Sequence, residues 1–242
     1  MKKKFERMPA ILDVTQSVTG LILALFIMGH ILFESSILVS KELMYKVTIM
    51  FEGYYFFGET YPGIISFLAG AIFVIFIVHA AIAMRKFPDN YKQHKTMKEH
   101  IIRFNHEDTS LWVIQLTSGF IMFFLGSVHL YMMMADPSDI GPYISSHRVY
   151  EKMFYPLYLI LLFSVVPHAF IGLYRLAMKW GFMEGRSTKK SRNVLKFLMK
   201  SLIVVYLVLG LGALYTYMQI GKNHDFSDGI KYKSKTINLE AH

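Results

Sequence analysis

Cysteine is absent from the sequence, which excludes disulfides, thiolate-held iron–sulfur clusters, covalent c-type haem attachment and thiol redox chemistry within this chain. Any electron carrier it holds must be bound by other ligands. Charge is missing too, in a patterned way: Val14–Phe33, Gly63–Met84, Thr109–Ala135, Met153–Tyr174 and Ser201–Gly221 contain no Asp, Glu, Lys or Arg. No glycine-rich phosphate loop, nucleophile elbow or HExxH pattern occurs, so phosphate-loop, serine-hydrolase and zinc-protease chemistry have no support.

What the sequence has instead is apolar length. Its 242 residues are 54% hydrophobic and 15% aromatic. A bilayer core about 30 Å thick takes roughly 20 apolar residues to cross as a helix, because lipid cannot satisfy open backbone groups. The five charge-free stretches meet that length and nothing else in the chain does. They predict an all-α membrane protein, a bundle of five transmembrane helices within residues 1–221, followed by a polar tail over 222–242. Lys2, Lys3, Lys4 and Arg7 imitate the start of a signal peptide, but the first apolar run is too long and no small-residue cleavage site follows it, so it is kept as a span.

The net charge of +9 flanks those spans, which argues for membrane topology and against nucleic acid. Residues 1–13, 85–108 and 175–200 hold 18 Lys or Arg, against 8 in 34–62, 136–152 and 222–242. The bias predicts a cytoplasmic N-terminus and a periplasmic C-terminus. Arg85, Lys86, Lys92, Lys95 and Arg103 in one cytoplasmic loop, and Lys179, Arg186, Lys189 and Arg192 in the other, either dock a soluble partner or serve only as topology signals.

Of ten histidines, His94, His100, His106, His147, His224 and His242 fall in predicted loops or the tail. His30, His79, His129 and His168 fall inside the first four spans, one in each. An ionisable group in hydrocarbon is expensive and usually faces the bundle to bind something. Proton relays and ion sites normally use charged partners, and these stretches have none, whereas haem iron needs only neutral imidazole. For a single histidine, hydrogen bonding between helices is as good an explanation.

Depth separates the readings. His79 lies seven residues before Lys86 and His168 seven before Arg175, about 10 Å from the cytoplasmic ends of their helices at roughly 1.5 Å per residue. His129 lies seven before Asp136, and His30 is past the middle of its outward-running helix. Two pairs at two depths, His79 with His168 and His30 with His129, are what bis-histidine ligation of two b-type haems requires. Gly126, Gly172 and Ala83, three or four residues from these histidines, give room for a flat macrocycle or serve ordinary helix packing. Pro167 removes a backbone donor beside His168 and predicts a kink in the fourth helix.

The stretches LDVTQSVTG, MGHILF, VHAAIAMRKFPDNYKQ, DTSLWVIQLTSGFIMFFLGSVHLYMMM and HAFIGLYRLAMKWGF, spread over Arg7 to Gly185, resemble the dihaem cytochrome b membrane anchor of menaquinol:fumarate reductases, within the succinate:quinone oxidoreductase family. The resemblance implies a multi-pass subunit of a bacterial inner membrane. It implies an iron–sulfur subunit and a flavoprotein bound on the cytoplasmic side, where fumarate chemistry takes place, and menaquinol oxidised by this chain. Such a heterotrimer can pair as a dimer. The resemblance assigns His79 and His168 to the haem nearer the iron–sulfur subunit and His30 and His129 to the distal haem. It further implies Glu52, in MFEGYY, as the quinol-site carboxylate near the outer face, and Gln16, Ser17, Trp112, Arg148 and Lys179 around the haem propionates. Read without the resemblance, Glu52 is an acid in a loop, where charged residues ordinarily sit.

One departure stands out. Two positions before the fourth-helix histidine, where the family's fumarate reductases carry a glutamate that passes protons, this sequence has Val166, followed by Pro167. Two other readings fit the residues without the resemblance. One is the cytochrome b anchor of another quinone-linked complex, such as a hydrogenase or formate dehydrogenase. The other is a haem-free transporter or anchor whose histidines join helices as polar glue.

Overall fold

The computed structural model describes residues 7–85, 87, 90–103, 107–182, 187–227, 229, 231–234 and 236–237, with backbone alone at 94 and 100–103. Lys2, Lys3, Lys4, Lys86, His106, Arg186, His242 and the Gly185 limit of the resemblance lie outside them, as do the side chains of His94, His100 and Arg103.

Most of the described residues are helical, and none of them lies in a strand. In chain order they form α1 (Met8–Glu34), continued by a 3-10 turn at Ser35–Leu38, then α2 (Lys41–Phe51), α3 (Tyr54–Phe57), α4 (Gly63–Met84) and α5 (Tyr91–Arg103). There follow α6 (Glu107–Ala135), α7 (Pro142–Tyr150), α8 (Tyr155–Trp180) and α9 (Thr188–Asn223). Five of these, α1 with its turn, α4, α6, α8 and α9, are long and apolar enough to cross a membrane. Each overlaps one of the five charge-free stretches. Only α4 keeps both bounds of its stretch; α9 begins at Thr188, well ahead of Ser201, because Lys and Arg are good helix formers and hydropathy marks only the part of a helix that meets lipid. Large apolar side chains such as Phe67, Phe120 and Val208 stay exposed, as a lipid-facing surface requires. The helical assignment of α8 continues through Pro167, where the cost is one backbone donor.

The chain divides into two compact units, one made of Met1–Ile27, Val74–Phe123 and Ser164–Ile203, the other of Met28–Phe73, Phe124–Phe163 and Val204–His242. Each of the five long helices contributes a segment to both. His79 and His168 fall in the first unit, His30 and His129 in the second.

In the first unit, charged residues at helix ends tie the segments together. Asp13 of α1 pairs with Arg85 at 2.5 Å and with Lys179 of α8 at 3.6 Å. At the start of α6, Glu107 meets Lys196 and Lys200 of α9 at 2.7 Å, and Asp108 meets Lys196 at 2.8 Å and Arg192 at 3.0 Å. The Tyr174 hydroxyl of α8 donates to Asp108 at 3.2 Å.

In the second unit, close packing replaces charge. A Cβ at Gly221 of α9 would stand 2.6 Å from the Ser146 carbonyl oxygen of α7, an approach only glycine permits. Ile37, Met44, Val149, Ala213 and Tyr217 form its buried core. Beyond Asn223 the described tail returns to α2, where Glu42 accepts hydrogen bonds from Tyr232 at 3.0 Å and from Ser234 and Thr236 at 2.6 Å.

Candidate functional site

His168 lies in the buried stretch of α8. Its Nδ1 is 2.9 Å from the backbone carbonyl oxygen of Gln115 and 3.2 Å from the Ser118 hydroxyl. A carbonyl only accepts, so Nδ1 carries the proton, and Nε2 keeps its lone pair. That is the tautomer a metal-ligating imidazole adopts, with its second nitrogen held by a carbonyl. The Ser118 hydroxyl lies 2.6 Å from the Ile114 carbonyl, to which it donates.

His79 of α4 is held in the same manner. Its Nδ1 is 3.1 Å from the Thr19 hydroxyl, which donates its own proton to the Thr15 carbonyl at 2.7 Å. Thr19 is therefore an acceptor for Nδ1–H, and Nε2 of His79 is again the free nitrogen. Both rings sit against glycines on a neighbouring helix. A Cβ added at Gly20 would stand 2.9 Å from Cε1 of His79, and one at Gly119 would stand 2.8 Å from Cε1 of His168. The two imidazoles lie within electrostatic range of one another.

In the second unit, the ring centres of His30 and His129 are 6.1 Å apart, tilted by 55°. Metal–imidazole bonds of about 2 Å, with about 1 Å from each nitrogen to its ring centre, span roughly the same distance. Nδ1 of His129 is buried without a hydrogen-bond partner. The Tyr158 ring meets His129 edge-on at 5.6 Å between centres.

The other residues singled out from sequence divide between the units. In the first, Ser17 and Lys179 come together at 3.4 Å, joined by the Trp180 indole nitrogen, 3.1 Å from the Ser17 hydroxyl. Oε1 of Gln16 is buried and unpartnered, and Trp112 is half-buried. Val166 is fully buried. In the second unit, Arg148 is buried and donates to the Asp139 carbonyl. Glu52 caps the end of α2 and is also buried, against the ordinary expectation for a loop acid. Gly53 follows at φ +85°, and the Glu52 carbonyl accepts from Tyr61 N–H at 2.8 Å. Burial pushes the Glu52 carboxyl above its usual range, and Lys231 of the tail pulls it part of the way back.

Sequence reasoning missed the partners that orient the histidines. Thr19, Gln115 and Ser118 are ordinary polar residues in their stretches, and Gly20 and Gly119 lie far in sequence from the rings they touch. Gly172, singled out for its spacing from His168, instead approaches the Gln115 side chain, with a Cβ position 3.0 Å from Nε2. Among the described residues no group of three or more His, Asp or Glu could hold a bare metal ion.

Residues 89–209 match the family described as Succinate dehydrogenase/Fumarate reductase transmembrane subunit. The chain is 49% identical over 220 residues to the fumarate reductase cytochrome b subunit of Wolinella succinogenes, covering 91% of this chain and 86% of that one. It is 46% identical over 230 residues to the protein of the same description from Helicobacter pylori strain 26695, covering 95% and 88%.

Proposed function

Because the chain belongs to the succinate dehydrogenase/fumarate reductase transmembrane subunit family, we propose that it is a dihaem cytochrome b membrane anchor carrying electrons between menaquinol and an iron–sulfur subunit. It is a multi-pass membrane protein. The observation that carries the proposal is the facing of His30 and His129 at 6.1 Å within helices long and apolar enough to cross a membrane. Two imidazoles are too few ligands for a bare ion, but they would suffice to hold a metal-bearing group that brings other donors of its own.

Bound haem b supplies one-electron chemistry at a potential set by its ligands and surroundings. The chain supplies the rest. His79 and His168 would hold one haem through Nε2, their rings locked at Nδ1 by Thr19 and by Gln115 and Ser118 from neighbouring helices, and His30 and His129 would hold the other. Gln16, Ser17, Trp112 and Lys179 serve propionates in the first unit, and Arg148 does so in the second. Glu52 accepts a proton from menaquinol. The basic ends of the first unit face the cytoplasm and receive the iron–sulfur subunit, which connects to a flavoprotein where fumarate and succinate interconvert. The five-helix portion, 1–221, carries all of the electron path; the complex resides in a bacterial inner membrane and can pair as a dimer of heterotrimers.

The test is a reduced-minus-oxidised spectrum with haem quantification on the purified subunit. Two b-type haems per chain are expected, reducible by quinol; a colourless protein overturns the proposal and favours histidines acting as polar glue. A second experiment probes the glycine notches. Gly119→Ala forces the His168 ring aside and is expected to lower occupancy at the His79/His168 level only. Gly63→Ala, where an added Cβ meets nothing within 4 Å, is expected to leave haem content unchanged.

A further inference from the structure

A carboxylate lies inside the first membrane-crossing segment, Met8–Leu38. Glu34 follows His30 by one helical turn, and its Oε2 accepts a hydrogen bond from the Tyr217 hydroxyl of α9 at 3.0 Å. Tyr217 is 5% exposed, so the bond is sheltered. An acid within a span is costly and is usually kept for what it does. In the sequence, Glu34 marks only the boundary of the first charge-free stretch.

Its surroundings connect it to the second histidine pair. Tyr158 of α8, whose ring meets His129, lies within electrostatic range of Glu34, Tyr217 and Arg148. Arg148 also lies within electrostatic range of His129. A carboxylate therefore stands one helical turn from His30, bonded to Tyr217, and a guanidinium stands within electrostatic range of His129, whose ring meets Tyr158. Charges in such a medium are weakly screened and act over several ångströms.

We propose that Glu34, anchored by Tyr217, is a positioning residue that lowers the reduction potential of the haem held by His30 and His129. This rests on the haem assignment above. Reduction adds one electron to the iron; a nearby carboxylate opposes the added negative charge, while Arg148 favours it. Glu34 thereby offsets Arg148 and keeps the site from retaining the electron that quinol delivers.

The test is an optically monitored redox titration of the purified complex at fixed pH, with the distal step identified as the one lost in His129→Ala. Glu34→Gln is expected to raise that step by about tenfold in the reduction equilibrium, which is about 59 mV for one electron, and to leave the other step in place. Glu34→Asp keeps the charge and is expected to return the step most of the way to its original position. Should Glu34→Gln fail to assemble, Glu34→Leu combined with Tyr217→Phe removes acid and donor together, leaving no buried polar atom unmatched, and the same upward shift is expected. Two haem steps that both stay put, or that move together, overturn this inference alone. A wild-type complex without two haem steps overturns the haem assignment beneath it.

Discussion

Replacing His168 with alanine is expected to halve the haem content, from two b-type haems per chain to one, with the surviving haem still reducible. The physical reason is local. In the proposed pairing His168 would supply one of the two imidazoles that hold the haem at its level, and His79 alone would not retain it. The Gln115 carbonyl also loses its hydrogen bond from Nδ1, but it keeps its place in the α6 ladder and the Ser118 hydroxyl 3.2 Å away, so the loss costs only about 1 kcal/mol. His79→Ala is expected to give the same spectrum, while His30→Ala and His129→Ala remove the other component. Pyridine haemochrome assay against protein concentration reads the ratio. An unchanged two-to-one ratio in both His79→Ala and His168→Ala contradicts the pairing.

Glu52→Gln is expected to slow menaquinol-driven fumarate reduction by roughly 10²–10⁴-fold, the usual worth of a positioned proton acceptor. Electrons fed directly to the soluble subunits by a dye bypass the site, and that activity is expected to remain at the wild-type level. The sign of the pH dependence follows from the environment of Glu52. A proton acceptor works as the carboxylate, and burial raises its pKa above the ordinary 4.5, so quinol turnover falls as pH drops through that raised value. Lys231 acts in the opposite direction. Lys231→Ala is therefore expected to move the acidic limb to higher pH, and Glu52→Gln to abolish it. An acidic limb that persists in Glu52→Gln assigns the proton to another group.

The histidines are legible because each stands out in a run that otherwise excludes charge, and their depths can be counted from the helix ends. What orients them is not. Thr19 and Ser118 reach across to rings on other helices, and nothing in a local window distinguishes them from Thr15 or Ser127. Gly20 and Gly119 matter for what lies opposite, His79 and His168, each carried on a different helix, whereas Gly172 has the right spacing along its own helix but a different neighbour. Glu34 is hidden by the same rule that reveals the spans, since the first charged residue marks the end of an apolar stretch. The early start of α9 is hidden for a related reason: Lys189, Lys190, Arg192, Lys196 and Lys200 favour helix as readily as they favour water. The setting of Glu52 includes Lys231, brought back from the far end of the chain, a return that no sequence pattern announces.

The meeting of Glu107 and Asp108 with Arg192, Lys196 and Lys200 has a bearing on biogenesis. The two acids leave the ribosome two spans ahead of the cations that neutralise them. Until those cations are made, the start of the third span lacks the ion pairs that join it to the last helix. A nascent product stalled before Arg192 lacks these ion pairs, so the start of the third span is joined to the last helix only once that helix has been made.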